Sequence, residues 1–215
     1  VSTGLSLCCL FITLKLKKMP VVPLGNQPPQ KQPLLSREAL PPAIIAFFIT
    51  INWGALTAFF PLYALSQGVD NPGIFFAAFA ITLILVRSLG GKILDIYARE
   101  KVILPCLFNL IISPALLAFS TTLTMFILVA IIWGMGTAFL YPALVAYTID
   151  RAGSSRGPAM GTFTALTDLG AGMGSVIMGI VLQLTNYRIM FLCLALTGII
   201  NFLYFYFTIR KKGGE

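Results

Sequence analysis

Long uncharged apolar stretches alternate along this chain with short polar breaks, and their spacing predicts helices of membrane-crossing length. Residues 39–69 carry no charge, and neither do residues 102–149. As one continuous α-helix the second run would extend roughly 70 Å at about 1.5 Å per residue, against a hydrocarbon core of about 30 Å. It must therefore fold back, and the polar cluster Ser120-Thr121-Thr122-Leu123-Thr124 supplies the turn. The same reasoning along the whole chain predicts six complete helices, over residues 40–66, 73–95, 101–119, 123–149, 157–183 and 187–209.

Two segments fall outside these spans. Residues 1–14 are apolar but too short to cross a bilayer, and they run straight into Lys15, Lys17 and Lys18. A secretory signal would carry its basic residues before the apolar run, so this piece reads as the end of a transmembrane helix truncated upstream. Residues 15–39 hold Pro20, Pro23, Pro28, Pro29 and Pro33 among Gln and Lys, a composition that favours extended, solvated backbone and reads as a linker. Residues 210–215 read as a tail.

Composition fixes the solvent. Hydrophobic residues make up 58% of the 215-residue chain and charged residues 10%, with a mean hydropathy of +0.91, whereas soluble domains run at about a quarter charged. The expected surroundings are a lipid bilayer. The chain has no histidine, which removes the usual general base near neutral pH, the Ser/His and Cys/His nucleophile pairs and the commonest metal ligand. No Gly-rich phosphate loop is present. Cys8, Cys9, Cys106 and Cys193 form no C-x-x-C pair and read as small hydrophobes. An enzyme is not expected, nor a cofactor, nor a resident metal.

Charge then sets topology. Fourteen of the fifteen Lys and Arg residues fall in the linker, the even-numbered connections and the C-terminus, leaving Arg188 alone on the other side. The positive-inside rule places the fourteen in the cytoplasm, which predicts a multi-pass protein of the cell membrane with linker and C-terminus inside. The net charge of +8 is then accounted for by anionic lipid head groups, with no nucleic-acid partner required.

The second connection reads Arg87-Ser88-Leu89-Gly90-Gly91-Lys92-Ile93-Leu94-Asp95-Ile96-Tyr97-Ala98-Arg99-Glu100-Lys101. It resembles the signature loop of the major facilitator superfamily, G-x-x-x-D-R/K-x-G-R-R/K, through Gly91, Asp95, Arg99 and Lys101. Ile96 and Ala98 depart from the pattern where it has a basic residue and a glycine. Asn71-Pro72-Gly73, Gly134-Met135-Gly136 with Pro142 and Asp150, and Arg156-Gly157 followed by Thr167-Asp168-Leu169-Gly170 are similar to the second halves of bacterial drug-efflux-like and sugar-efflux-like members. The resemblance implies an all-α membrane protein, the six-helix half of a twelve-helix fold. It makes residues 1–14 the end of helix six, the linker the central loop, and the six full helices numbers seven to twelve. The implied activity is secondary active transport by alternating access, with proton-coupled efflux of an amphipathic or drug-like small molecule favoured over a sugar or metabolite carrier. The implied partner is the missing N-terminal six-helix half. A non-transporting membrane scaffold is the alternative of another class.

Specific residues carry these expectations. Arg87, Gly91 and Asp95 are spaced four apart and share a face if the second helix persists that far; with Arg156 at the start of the fifth helix they are candidates for a latch on one access state. Asp168 falls about eleven residues into that fifth helix, roughly 15 Å deep, where a carboxylate costs on the order of 3 kcal/mol. It is the candidate for proton coupling or substrate contact, with helix packing as the alternative. Gly161, Ala165, Asp168, Gly172, Ser175 and Gly179 share its stripe, a small-residue face suited to close packing or to ligand approach. Asn52, Trp53, Thr137 and Tyr141 are candidate cavity-lining residues. The last helix, with Phe191, Phe202, Phe205 and Phe207, is expected to face lipid. Gly134, Gly136, Pro142, Gly170 and Gly174 serve either bending or plain packing, and sequence does not choose between them.

Overall fold

The structure is a computed structural model that describes residues 35–90, 99–153 and 155–210; the side chains of 99–101 and 209–210 are outside that description. The predicted upstream helix end, the linker and the tail beyond Arg210 lie outside the described residues. Six α-helices follow in order: α1 (Leu40–Ser66), α2 (Gly73–Gly90), α3 (Arg99–Leu117), α4 (Leu123–Arg151), α5 (Arg156–Leu184) and α6 (Tyr187–Phe205), with a π-helical turn at Tyr206–Arg210. Among the described residues all regular structure is helical.

The boundaries follow local chemistry. Pro41 and Pro42 open α1, where a proline's missing N–H costs nothing. Its far end is closed by Gly68 at φ 79°, a left-handed conformation open to glycine, with the amides of Gly68 and Val69 turning back to Leu65 and Ala64 carbonyls. Thr122 caps α4 by accepting from the Met125 amide, and Asn186 caps α6 by accepting from Ile189 at 3.0 Å. The fold-back between α3 and α4 thus comes where the Ser-Thr cluster predicts it.

Five of the helices are long and apolar enough to cross a membrane. The exception is α3, whose apolar part runs only from Val102 to Leu117. Three successive charged residues, Arg99, Glu100 and Lys101, occupy its first turn. It is held laterally by α4 and α6, against which it packs.

The longest helix contact is α1 on α5, and α1 also touches α4 and α6; α2 packs on α4. One end of the bundle is an aromatic cluster. Phe60 lies 4.0 Å from Phe75 and 5.3 Å from Phe126 between ring centroids, and Tyr63 lies 5.2 Å from Phe191. The Tyr63 hydroxyl donates to the Ser120 carbonyl at 2.6 Å, tying α1 to the α3–α4 turn.

The last helix departs from expectation. Phe191 and Phe205 are fully buried, Phe202 is half-buried, and of the four only Phe207 is openly exposed. The physical reason is Gly198. A Cβ there would lie 3.1 Å from the Leu110 carbonyl oxygen, so its absence lets the α6 backbone settle onto α3 and carries the flanking aromatics inward. A helix apolar on all sides carries no hydrophobic contrast to mark which face does this.

Candidate transport face

Two faces of α5 do different work. Ala159, Thr162, Phe163, Thr167, Gly170, Gly174 and Met178 are buried. Along this face α5 meets α1 backbone to backbone: a Cβ on Gly170 would sit 2.5 Å from the Phe47 carbonyl oxygen, and one on Gly174 would sit 2.7 Å from Ile51 Cα. Gly54 reciprocates from α1, where an added Cβ would strike the Ala171 carbonyl. Thr50 and Thr167 return their hydroxyls to their own helices, so neither hydroxyl is left unpaired at the seam. Gly170 and Gly174 are therefore packing residues in this structure.

The opposite face is open. Gly157, Gly161, Thr164, Ala165, Asp168, Leu169 and Gly172 are exposed, and a Cβ on Gly157, Gly161 or Gly172 would meet nothing within 4 Å. Within this half the stripe through Gly161, Asp168 and Gly172 is free, and the packed one lies about half a turn round the helix. Ser175 is half-buried, its hydroxyl donating to the Gly172 carbonyl, and Gly179 comes near Phe59. Asp168 stands near the middle of the 29-residue helix, and among the described residues no hydrogen bond or ion pair reaches its carboxylate. The apolar windows of α2 and α5 are the least covered in the bundle, each 22% buried against 39–50% for the other three spans.

The remaining candidates separate. Asn52 is fully buried; its Nδ2 donates to the Phe48 carbonyl at 3.1 Å and to Thr197 Oγ1 at 2.9 Å. It thus joins α1 to α6 inside this half. Trp53, the next residue round the helix, is 37% exposed with its ring 5.2 Å from Phe79. Thr137 spends its hydroxyl on the Trp133 and Gly134 carbonyls of its own helix. Tyr141 is exposed, its ring 5.7 Å from Phe163 of α5. Trp53, Tyr141 and Asp168 therefore present open surface, while Asn52 and Thr137 have committed their donors.

The signature-loop residues are placed only in part. Gly91 and Asp95 lie outside the described residues, as do the side chains of Arg99 and Lys101, whose backbone forms the first turn of α3. Arg156 is exposed at the start of α5. Arg87, in the last turn of α2, is exposed yet anchored: its Nε donates to the Ala138 carbonyl of α4 at 3.0 Å.

Sequence reading passed over Thr197 and Asn201 on α6. Asn201 is fully buried and donates to the Ile45 carbonyl at 3.2 Å, a second polar tie between α6 and α1. The signal was available, since an amide within an apolar span needs a partner. Among the described residues no three of Cys, Asp and Glu come together as a metal-ligand set.

Residues 42–215 match the profile of the Major Facilitator Superfamily. The chain is similar to a staphylopine export protein of Staphylococcus aureus, 32% identical over 164 residues that make up 73% of this chain and 41% of that protein. It is 28% identical to an uncharacterized MFS-type transporter of Methanocaldococcus jannaschii, over 73% of this chain and 42% of that protein. Multidrug resistance protein 2 of Bacillus subtilis is 30% identical over half of this chain and 28% of its own length. The chain spans less than half the length of these curated relatives.

Proposed function

The chain belongs to the Major Facilitator Superfamily, and from that premise we propose that it forms the second six-helix half of a secondary active transporter, exporting a small amphipathic molecule in exchange for protons. The linker, the even-numbered connections and the C-terminus face the cytoplasm in this reading, and a first six-helix half covers α2 and α5. No chemical step on the substrate is required, so the protein acts as a carrier and not as an enzyme.

One observation carries the proposal. Asp168 is a mid-helix carboxylate on an open face, without a partner among the described residues, on one of the two least covered helices. A charge in that position is stable only if water, a partner or a ligand reaches it. The open stripe of Gly157, Gly161, Ala165 and Gly172 leaves room for any of these beside the carboxylate. Exposed Trp53 and Tyr141 supply the aromatic surface that suits an amphipathic cation. The relatives' printed names, an export protein and a multidrug resistance protein, support an outward direction and a drug-like cargo.

Asp168 takes a proton from one side of the membrane and yields it on the other. The test uses the full-length protein in inside-out vesicles with ethidium as probe. Asp168→Asn is expected to lose transport driven by a pH gradient while retaining exchange of labelled for unlabelled ethidium without one. A variant that still responds to the gradient like the parent refutes the proton role. Loss of both activities with normal insertion assigns Asp168 to packing against the other half.

A further inference from the structure

In an α-helix each carbonyl accepts from the amide four residues on, and a proline removes that donor. Pro142 lies inside α4, so the carbonyl it leaves without a helical partner is that of Ala138. Ala138 is fully buried, which denies this oxygen the water that would otherwise replace the bond. The donor that reaches it is Arg87 Nε, from α2, at 3.0 Å. Two other prolines within the helices do not show this arrangement. Pro61 and Pro114 free the carbonyls of Thr57 and Leu110, and among the described residues no side chain donates to either. The α2–α4 contact is also close one turn away, where a Cβ on Gly134 would sit 3.0 Å from the Thr82 side chain and 3.3 Å from the Phe79 carbonyl oxygen.

We propose that Arg87 is a positioning residue, capping the Ala138 carbonyl that Pro142 frees and thereby pinning the end of α2 to α4 beside its proline. Gly134 lets the two backbones approach, Pro142 creates the acceptor, and Arg87 fills it. An arginine suits the task because its planar guanidinium is always charged, which makes its bond to a carbonyl charge-assisted. The pin sits beside the one proline of α4.

The arrangement makes a test that a plain packing or topology role would not satisfy. Pro142→Ala restores an amide at position 142 and hence the helical donor to Ala138, which makes Arg87 dispensable. The full-length protein is compared as parent, Arg87→Leu, Pro142→Ala and the double variant, by thermal unfolding in detergent and by ethidium efflux. Arg87→Leu is expected to lower Tm by several degrees and efflux at least tenfold where Pro142 is present. In the Pro142→Ala background the same substitution is expected to leave Tm nearly unmoved and to change efflux less than twofold. Equal losses in both backgrounds overturn the proposal. If Arg87→Leu fails to accumulate with Pro142 present, recovery of folded protein in the double variant supports it and continued failure overturns it. The proposal uses the transport reading only for the efflux arm. Absence of ethidium efflux from the parent would defeat that reading, while the Tm cycle would still decide the role of Arg87.

Discussion

Gly174→Ala and Gly172→Ala add the same methyl to the same helix two residues apart, and the structure assigns them opposite consequences. At Gly174 the new Cβ would lie 2.7 Å from Ile51 Cα and nearer still to the Ile51 carbonyl oxygen, both backbone atoms of α1. Ordinary contact needs about 3.4 Å or more, so α1 and α5 must separate by up to about 1 Å along their longest shared seam. Neither helix can yield by rotating a side chain. Overpacking of this kind costs about 1–3 kcal/mol. At Gly172 the methyl would meet nothing within 4 Å. Both substitutions gain the same helix propensity, up to about 1 kcal/mol, so it cancels in their difference and the packing cost of about 1–3 kcal/mol remains. Thermal unfolding of the full-length protein, followed by a thiol-reactive fluorophore at buried Cys106, reads the difference. The shift is roughly 2–4 °C per kcal/mol for a body of 150–250 residues and smaller for a longer chain, so Gly174→Ala should melt a few degrees below Gly172→Ala. A Gly174→Ala protein that melts as high as the parent would refute the assignment of the packed face of α5.

Two further variants test the α6 packing in the same assay. Phe191→Ala removes a fully buried ring from the aromatic cluster and should cost about 3–5 kcal/mol, whereas Phe207→Ala, at 63% exposed, should change Tm by no more than a degree or so; comparable losses would mean α6 packs by another face. Asn52→Ala deletes the bond to Thr197 and is expected to cost about 0.6 kcal/mol, the average for such ties between membrane helices, with ethidium KM unchanged. A raised KM with unchanged Tm would return Asn52 to the cargo cavity.

Helix existence and helix ends were legible because the bilayer imposes a length and because short polar signals mark termini. The Thr122 and Asn186 caps, Pro41-Pro42 and Gly68 sit where such residues are cheapest for the backbone, and the observed ends of α1, α4, α5 and α6 fall within a few residues of those expected. Which face of each helix packs was not legible. In water a core face announces itself by contrast with a charged face, but here the solvent is as apolar as the interior, and the contrast vanishes. α6 shows this directly: Phe191 and Phe207 are the same residue type in the same span, and Gly198 with the ties at Thr197 and Asn201, not the aromatics, marks the side that turns inward.

The same loss of contrast explains why small residues alone did not single out the packed face of α5. Glycine at 161, 170, 172, 174 and 179 leaves almost every direction of the helix open to close approach, so spacing alone cannot choose among them. The choice is made by the partner: α1 offers Gly54 and the bare carbonyls of Phe47 and Ile51 along one line, and only Gly170 and Gly174 meet it. Once that seam is filled, Asp168 is carried to the far side. Its exposure is therefore a consequence of where the glycines of α1 and α5 coincide, and not of its own solvation. A sequence reader could have reached it by pairing helices first and polar residues second. Carboxylate, seam and open stripe are one arrangement, in which tight packing within this half is what leaves a charge available at its surface.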